Sequence, residues 1–399
     1  MISNRYDAIV VGARCAGSPT AMLLARKGYE VLVLDRARFP SDTVSTHLMH
    51  PPGVASLRRW GLLERLVATG CPAIHTYGVD FGPFTIAVGP ATDDTPVAYG
   101  HRRTVRDKLL VDAAAEAGAE VREGFTVTDV VIDGGRPGVR GHGSDGPTVT
   151  EHVRVVIGAD GRHSLVARAV APEQYHEKPP LLVGYSSYWS GLPMDGRFEN
   201  YIRPDRAVGA WPTHDDLTLV IGGWPYAELQ SGTTSRATSS TCCSWRRPSP
   251  SGSPPPPAKR ASSAPQSRTT SASPSGRAGR WSAMPATTRT SSPPRACMTP
   301  SGTPSCAPPP WTRPSPVPAP LMPPWAPTRP PATSRSCPCT SSPPSSPPLE
   351  PPPELQQLLG AVHGNQQAMD EFARVMAGVL SPAEFFSEEN VGRLLTMAY

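Results

Sequence analysis

The first 35 residues contain the pattern that most restricts the fold. Ala8–Val11 is a continuous apolar run, typical of a buried parallel strand. A glycine-rich turn, Gly12–Gly17, follows it and leads into Ser18–Lys27, where apolar residues recur at helical spacing until Gly28. A second apolar strand, Glu30–Asp35, ends in an acid. This order of strand, turn, helix and strand predicts a complete βαβ unit.

The turn and the terminal acid predict a dinucleotide site. Gly12 permits a tight turn, Gly17 permits close packing of helix on strand, and the helix N-terminus offers free N–H groups to a phosphate. Asp35 stands 18 positions after Gly17, close to the spacing of about 20 expected for a ribose-binding carboxylate. Arg14 replaces the middle glycine of G-x-G-x-x-G. This removes a position where the backbone normally approaches the phosphates, and it adds a positive charge. A βαβ unit without a nucleotide is the alternative.

Two later motifs accompany the βαβ unit. Arg103, Asp107 and Leu110 fit the pattern R-x-x-x-D-x-x-L within a helix predicted from about Thr104 to Ala117. Strands of the type "AEVREG" and "TVTDVVI" follow this helix. Further on, a predicted strand at Val153–Ile157 leads into Gly158-Ala159-Asp160-Gly161, with Ser164 and Arg168 on a predicted helix. For Asp160, a plain turn acid before a helix is the alternative role.

Together the motifs resemble the FAD-binding superfamily of flavoprotein monooxygenases, with the para-hydroxybenzoate hydroxylase-like fold, and of geranylgeranyl-reductase-type enzymes. The resemblance covers residues 6 to about 228 and implies an α/β protein. Its parts would be a Rossmann-like FAD-binding domain with a mixed parallel sheet, an antiparallel substrate-domain sheet and C-terminal helices. Arg106 stands where family members often carry an apolar residue.

The same resemblance implies an FAD-dependent oxidoreductase in which NAD(P)H acts as a transient reductant. Such an enzyme hydroxylates a small apolar or aromatic substrate or reduces a carbon–carbon double bond, and the flavin supplies the chemistry. Arg103 would lie near the FAD phosphates, and Asp160, Gly161 and Arg168 near the flavin and pyrophosphate. No residue is assigned as catalytic. The implied cofactor-binding residues are Gly12, Ala13, Arg14, Cys15, Ala16, Gly17, Asp35, Arg36, Arg103, Asp160 and Gly161.

Four regions follow from these patterns: an FAD-binding domain at 1–175, an antiparallel sheet at 176–230, a Pro/Ser/Arg-rich segment at 231–348 and C-terminal helices at 349–399. The sheet is predicted from alternating apolar and polar residues between turn signals. The C-terminal region includes a capping box, Ser381–Glu384, with Pro at the first helical position. The aromatic residues of the sheet either line an apolar pocket or belong to the core; they are Tyr185, Tyr188, Trp189, Tyr201, Trp211 and Trp224.

The segment 231–348 differs from the rest of the chain. Its 118 residues hold 30 of the 51 prolines, 6 of the 8 cysteines, 13 basic residues and no acidic residue. The other 281 residues hold 25 basic and 33 acidic residues, so the net charge of +5 gives no support to a nucleic-acid partner. A segment this rich in proline and poor in large apolar residues cannot recover its ordering entropy by burial. We therefore predict disorder for 231–348 as written.

A shifted reading frame accounts for the segment. Codons displaced by one base are forced to Ala at Met284-Pro285, to Asp at Met298-Thr299 and at Trp311-Thr312, and to Gly at Trp325-Ala326. One permitted reading from Trp281 begins VGDAG, and the resemblance implies a G-D-A motif at this distance, whose Asp binds the ribityl chain. We interpret 231–348 as a frameshifted stretch. The competing interpretation is a natural Pro/Ser-rich linker.

The sequence gives no support to a disulfide framework, a signal peptide, a membrane span or a metal site. Outside the segment only Cys15 and Cys71 occur, which predicts a reducing compartment without a disulfide framework. The N-terminus lacks the regions of a signal peptide, and no apolar run approaches the length of a membrane span, so we expect a cytoplasmic protein. His47 and His50 lack a third ligand nearby, so no metal is expected. A non-enzymatic or inactive nucleotide-binding module with a basic disordered tail remains the rival interpretation.

Overall fold

The computed structural model describes residues 5–89, 96–132, 136–175, 182–204, 206–225, 259–260, 282–286 and 353–396. In chain order, the elements of the first half are β1 (Ala8–Val11), α1 (Gly17–Ala25), β2 (Val31–Asp35), β3 (Leu48–Met49), α2 (Pro51–Trp60), α3 (Leu63–Val67), β4 (Ala73–Ile74), β5 (Thr76–Asp80), β6 (Thr85–Val88), β7 (Ala98–Gly100), α4 (Arg103–Glu116), β8 (Glu120–Glu123), β9 (Thr126–Val131), β10 (Gly138–His142), β11 (Val149–His152), β12 (Val155–Gly158) and α5 (Leu165–Val170). The later elements are β13 (Leu182–Ser190), β14 (Arg197–Arg203), β15 (Arg206–Pro212), β16 (Leu217–Pro225), β17 (Lys259–Arg260), β18 (Ser282–Ala286), α6 (Pro353–Val362), α7 (Gln366–Met376), α8 (Pro382–Phe385) and α9 (Glu388–Thr396).

The predicted βαβ unit forms the centre of a four-stranded parallel sheet with strand order β12-β1-β2-β8. All four residues of β1 are buried, as are the first four of β2, because both faces of a parallel sheet are covered. One face packs on α1 and α4, where Met22 and Leu110 belong to the core. The other face packs on a cluster that includes Phe125 and Val139. The carboxyl ends of β1, β2 and β12 therefore meet at one edge of the sheet.

A second, larger sheet confirms the predicted antiparallel region. Its strand order is β17-β13-β16-β15-β14-β5-β6, and β18 also pairs with β13. Strands β13 to β16 are joined antiparallel, whereas β5, from the first part of the chain, pairs in parallel with β14. The sheet is thus completed by residues that come before the R-x-x-x-D-x-x-L motif at Arg103.

Two short strands, β17 and β18, lie within the segment 231–348 and pair with β13. These two stretches are the described part of the segment for which disorder is predicted. The remainder of that segment lies outside the described residues.

Two three-stranded sheets complete the architecture. The sheet β3-β7-β4 lies next to the start of α4 and contacts β15, so it joins the parallel sheet to the antiparallel one. The sheet β11-β10-β9 is an antiparallel meander that packs near α5.

The C-terminal helices pack on strands β5 and β6 of the larger sheet. Leu358, Leu359 and Phe372 share a buried cluster with Val79 of β5 and Ile86 of β6. Burial of large apolar side chains stabilises by about 1.5–3 kcal/mol each, so this cluster holds the helices on the sheet. The capping prediction is correct for proline at the first turn of α8, but the Ser381 side chain makes no capping hydrogen bond.

No helix within the described part of the chain is both long and apolar enough to cross a membrane.

Candidate functional site

The glycine-rich turn between β1 and α1 depends on glycine at two positions. Gly12 has φ +101°, and a Cβ there would overlap with the carbonyl oxygen of Ala159 and approach Asp160 Cα to 3.0 Å. A Cβ on Gly17 would overlap with the Gly12 carbonyl oxygen. Because Gly12 and Gly17 have no side chain, the turn packs directly against the end of β12 and helix α1 begins close to the turn. This close approach is the reason a dinucleotide-binding turn requires glycine.

Asp35, at the carboxyl end of β2, is tied to the glycine-rich turn. Its Oδ2 accepts a hydrogen bond from the Ala13 amide at 2.7 Å, and its Oδ1 accepts one from the Ala37 amide at 2.8 Å. The structure thus brings the predicted ribose-binding acid beside the predicted phosphate-binding turn. Arg36, the next residue, is exposed.

Three arginines surround one buried carboxylate next to this turn. Asp107 of α4 has no solvent exposure, and its oxygens accept from Arg103 Nε at 2.8 and 3.0 Å. Arg14, in the turn, donates from Nη1 to Asp107 Oδ2 at 2.9 Å and also contacts Ser41. Arg106 Nε lies 3.8 Å from Asp107 Oδ1, beyond hydrogen-bonding distance, and this buried nitrogen has no acceptor among the described residues.

This cluster carries more positive than negative charge. Burial opposes the charge of Arg103, but its hydrogen bonds with Asp107 hold its pKa above the usual value. Burial, followed by the nearby Arg103, lowers the pKa of Arg106. Three guanidinium groups lie near the Asp107 carboxylate and the Asp42 carboxylate also acts on Arg103, so the cluster keeps a net positive charge that an anionic ligand would stabilise.

The donor set fits the pyrophosphate of a dinucleotide. A pyrophosphate diester carries two negative charges and accepts bidentate hydrogen bonds from guanidinium groups. Arg106 Nε supplies a buried donor without an acceptor, and the N-terminus of α1 supplies backbone N–H groups. Cys15 Sγ, on the same turn, lies 3.9 Å from Arg103 Nη2. Sequence reasoning identified Arg14 and Arg103 but missed Arg106, which it noted only as a departure from the family pattern.

The motif after β12 lies against the same turn, but its polar groups serve the local helix. Asp160 accepts from the Ser164 hydroxyl at 2.5 Å and from the Leu165 amide at 2.6 Å. Ser164 in turn accepts from the Ala167 amide as the N-cap of α5. Arg168 is exposed and donates to the His163 carbonyl. Asp160 therefore stabilises the start of α5, and its Cα lies close to Gly12. Gly161, with φ +84°, is exposed. Cofactor binding by both residues stays a prediction.

A histidine–tyrosine pair lies where the two main sheets meet. His47 Nε2 and the Tyr188 hydroxyl are 2.5 Å apart, and their rings are stacked. His47 is buried, has φ +60°, and its Nδ1 has no hydrogen-bond partner within the described residues. Trp211 Nε1 donates to the Thr46 carbonyl and holds the same loop. The sequence analysis considered His47 only as a metal ligand and missed this pair, which spans 141 positions.

The aromatic residues of the antiparallel sheet separate into different environments. Trp211 and Tyr188 belong to the cluster that faces β3, β4 and β7. Trp189 packs on the opposite side with Met194, and Trp224 packs with Tyr185. The half-buried Tyr201 donates to Glu199. Of the six aromatic candidates, Tyr188 and Trp211 are therefore the two that reach the sheet β3-β7-β4.

Two buried histidines should make the fold sensitive to acid. Burial, then the neighbouring arginines, lowers the pKa of His47 to about 3, and burial, then His214 and Arg106, lowers the pKa of His101 to about 3. Below about pH 6.5 the unfolded chain takes up protons at these histidines and the folded chain does not. The free energy of unfolding therefore falls as the pH drops from about 6.5 towards 3, by up to about 1.4 kcal/mol per pH unit for each histidine.

The test is urea unfolding of His101→Gln and of the parent chain between pH 7 and pH 4. We expect a shallower pH slope in the variant, whereas His163→Gln, at an exposed position, should keep the parental slope. Equal slopes in His101→Gln and the parent would show that His101 does not remain neutral in the fold.

The Gly17→Ala substitution should disrupt the turn. The added methyl group overlaps with the Gly12 carbonyl oxygen, so α1 must move away from β1 at a cost of about 1–3 kcal/mol. We expect a lower melting temperature and weaker FAD binding, measured by calorimetry and by flavin fluorescence. Gly360→Ala places its methyl group in open space on α6 and should preserve both properties. Unchanged FAD binding in Gly17→Ala would contradict the assignment of this turn.

The other sites considered are metal-binding clusters and cysteines. Within the described ranges, no group of three or more His, Cys, Asp or Glu side chains could hold a metal ion. Cys15 is exposed and Cys71 is buried, and both are free cysteines.

The parallel sheet, the glycine-constrained turn, the strand-terminal acid and the arginine cluster define a dinucleotide-binding flavoprotein fold. The chain matches the model of the FAD binding domain family over residues 5–294, most of its 399 residues. The protein belongs to the FAD binding domain family. FAD is the cofactor of this family, and the residues around Gly12 and Asp107 fit it.

Two curated relatives show the range of this similarity. The chain is 30% identical over 221 residues to phenazine 1,6-dicarboxylic acid hydroxylase PhzS of Lysobacter antibioticus, covering 52% of this chain and 53% of the relative. It is 32% identical over 181 residues to menaquinone reductase of Mycolicibacterium smegmatis, covering 44% of this chain and 42% of the relative. The chain thus spans about half the length of the curated relatives it matches.

Among solved structures, the myxobacterial chondrochloren halogenase CndH, an FAD-dependent halogenase, superposes with a TM-score of 0.57 at 24% identity. The superposition covers 65% of this chain and 62% of the halogenase. This likeness supports the fold described above.

Proposed function

We propose that this protein is an FAD-dependent oxidoreductase, a monooxygenase or reductase that uses NAD(P)H and acts on a small apolar or aromatic molecule. The observation that carries the proposal is the cluster of Arg14, Arg103 and Arg106 around the buried Asp107, beside the glycine-rich turn. A structural salt bridge needs one arginine for one carboxylate. Three arginines with an unsatisfied buried Nε support a role in binding an anion.

In the proposed complex each predicted residue has a distinct task. Asp35 holds the adenosine ribose, and the turn from Gly12 to Gly17 receives the pyrophosphate with Arg14 and Arg103. Asp160 and Gly161 limit the flavin side of the cleft. FAD, when bound, supplies the electron-transfer chemistry, and this chain supplies binding, orientation and charge compensation.

A hydroxylase and a reductase both occur among the relatives, and the proposal includes both types of reaction. Tyr188 and Trp211 reach the junction between the sheets and support a substrate position beside the flavin. We place the protein in the cytoplasm, because Cys15 and Cys71, the cysteines of the described residues, are both free and free cysteines favour a reducing compartment.

The experiment compares FAD binding and NAD(P)H oxidation in Arg103→Gln and in the parent, each with the reading frame of 231–348 restored. We expect Arg103→Gln to weaken FAD binding at least about tenfold, or about 1.4 kcal/mol, and to lower NAD(P)H oxidation at subsaturating FAD. Arg59→Gln alters an exposed arginine of α2 and should match the parent. Equal FAD affinity in Arg103→Gln and the parent would refute the proposed phosphate site.

A further inference from the structure

Residues 41–47, which lead into β3, form a loop without regular secondary structure, and we call it the bridging loop. Its first residue, Ser41, accepts two hydrogen bonds from Arg14 of the glycine-rich turn. Arg14 Nη1 donates to the Ser41 carbonyl at 3.2 Å, and Nη2 donates to the Ser41 hydroxyl at 3.0 Å. Nη2 also lies 3.5 Å from the carbonyl oxygen of Asp42. The Arg14 guanidinium thus holds the start of the bridging loop on the cofactor turn.

The end of the bridging loop is held by the antiparallel sheet. Trp211 of β15 donates from Nε1 to the Thr46 carbonyl at 3.1 Å, and His47 pairs with the Tyr188 hydroxyl of β13. Between these two anchors the loop is open to solvent, since Val44 is 48% exposed. The loop therefore connects the cofactor turn to the sheet through hydrogen bonds at its two ends.

The guanidinium group that holds the loop also belongs to the charge cluster of the cofactor turn. Arg14 Nη1 donates to Asp107 Oδ2 at 2.9 Å, and its Cζ lies 5.3 Å from the centroid of the Phe39 ring. The usual residue of G-x-G-x-x-G at this position is glycine, which has no side chain to make such contacts. Arg14 thus joins the counterion of the cofactor site to the bridging loop.

The bridging loop also carries a negative charge that acts on both of its neighbours. Burial opposes the charge of Arg103, whereas its hydrogen bonds within α4 and the more distant Asp42 carboxylate raise its pKa. On the sheet side, burial and then Asp42 raise the pKa of Tyr188 to about 12, and Arg102 opposes this rise. Arg102, the N-cap of α4, is directed to the sheet, with its Cζ 5.0 Å from the Tyr188 ring centroid and its Nη1 2.9 Å from Asp215. The Asp42 charge therefore attracts the loop to the arginine cluster.

We propose that Arg14 couples the cofactor site to the bridging loop, so that a pyrophosphate bound at the glycine-rich turn fixes residues 41–47. When no anion is bound, the guanidinium groups of the cluster repel one another, which favours openings in which Arg14 leaves Ser41. A bound pyrophosphate compensates these charges, so the open population of the loop falls. Arg14 is then a positioning residue for the His47–Tyr188 pair. The proposal rests on the proposed function, because it takes the turn as the pyrophosphate site.

The test is amide hydrogen exchange of the full chain with and without saturating ADP, read by mass spectrometry in the peptides that cover residues 12–17 and residues 41–47. ADP carries the adenosine and the pyrophosphate of FAD but no flavin, so protection of the loop by ADP cannot come from contact with a flavin ring. In the parent we expect ADP to slow exchange in both stretches, and in the loop by at least about fivefold.

Variants of Arg14 separate the coupling from binding itself, with ADP titrated to saturation for each protein. Arg14→Gly should keep the ADP effect on residues 12–17 and lose it on residues 41–47. Arg14→Lys keeps the positive charge but lacks the planar fork that reaches Ser41 and Asp107 together, so it should also lose the effect on the loop. Arg59→Gln removes an exposed arginine of α2 and should behave as the parent does.

Two results would overturn the coupling while the pyrophosphate site stands. One is loop protection by ADP that persists in Arg14→Gly. The other is exchange of residues 41–47 that is unchanged or faster with ADP in the parent, although residues 12–17 are protected. ADP that protects neither stretch of the parent would instead refute the proposed pyrophosphate site, and the coupling with it. Should Arg14→Gly not fold, Arg14→Lys decides.

Discussion

Restoring the reading frame over residues 231–348 should give a protein that keeps FAD through desalting, while the protein as written binds it about a thousandfold more weakly. The adenosine half of the site, from Gly12 to Asp35, is present in the written chain. The family resemblance places the contacts to the ribityl chain in a G-D-A motif that the written frame does not encode. Loss of about 4 kcal/mol of binding free energy gives this thousandfold difference.

The measurement is the flavin absorbance per protein after both versions are expressed, purified and desalted. Sequencing of the gene is a companion observation, because a single continuous frame in the DNA would establish the Pro/Ser-rich linker instead. Equal flavin occupancy in the two proteins would show that the segment carries no part of the site.

The Asp107→Asn substitution should be the most damaging single change in the cofactor-binding domain. The carboxylate has no solvent exposure and is the counterion of Arg14, Arg103 and Arg106. Its removal leaves three guanidinium groups close together without a negative charge, and breaking a buried pair in this way costs about 3–5 kcal/mol. Chemical unfolding of the purified variant measures the loss.

The matched control lies one turn further along the same helix. Asp112 forms an i, i+4 pair with Lys108, and both side chains are 40% exposed. Asp112→Asn should change the free energy of unfolding by less than about 1 kcal/mol, as exposed pairs do. Similar losses in the two variants would mean that Asp107 is not a central counterion. Added FAD should stabilise Asp107→Asn, because the pyrophosphate supplies the missing negative charge.

The sequence predicted the local elements of the cofactor domain well. The first strand was predicted at its observed bounds. Helix α4, observed at Arg103–Glu116, begins and ends one residue earlier than the predicted helix from Thr104 to Ala117. These elements can be predicted because their hydrophobic periodicity and their glycines are local features of the sequence. The spacing of Gly17 and Asp35 likewise follows from a βαβ unit of standard length, and the structure joins Asp35 to the turn.

The arrangement at the junction of the sheets could not be predicted in the same way. The pairing of His47 with Tyr188, and of Arg14 with Asp107, joins residues that are 141 and 93 positions apart. Neither pair has a periodic signal, because each depends on how whole sheets pack. The run His101-Arg102-Arg103 was a visible clue to concentrated charge, but the opposite directions of its two arginines depend on tertiary contacts. The packing of α6 to α9 on β5 and β6 is non-local for the same reason.

We expect the arginine cluster beside the glycine-rich turn to receive the FAD pyrophosphate. A crystal structure of the frame-restored protein grown with FAD tests it most directly. We expect pyrophosphate oxygens within hydrogen-bonding distance of Arg103 and of Arg14 or Arg106, with the ribose hydroxyls on Asp35. A bound FAD whose pyrophosphate contacts none of these arginines would contradict the claim.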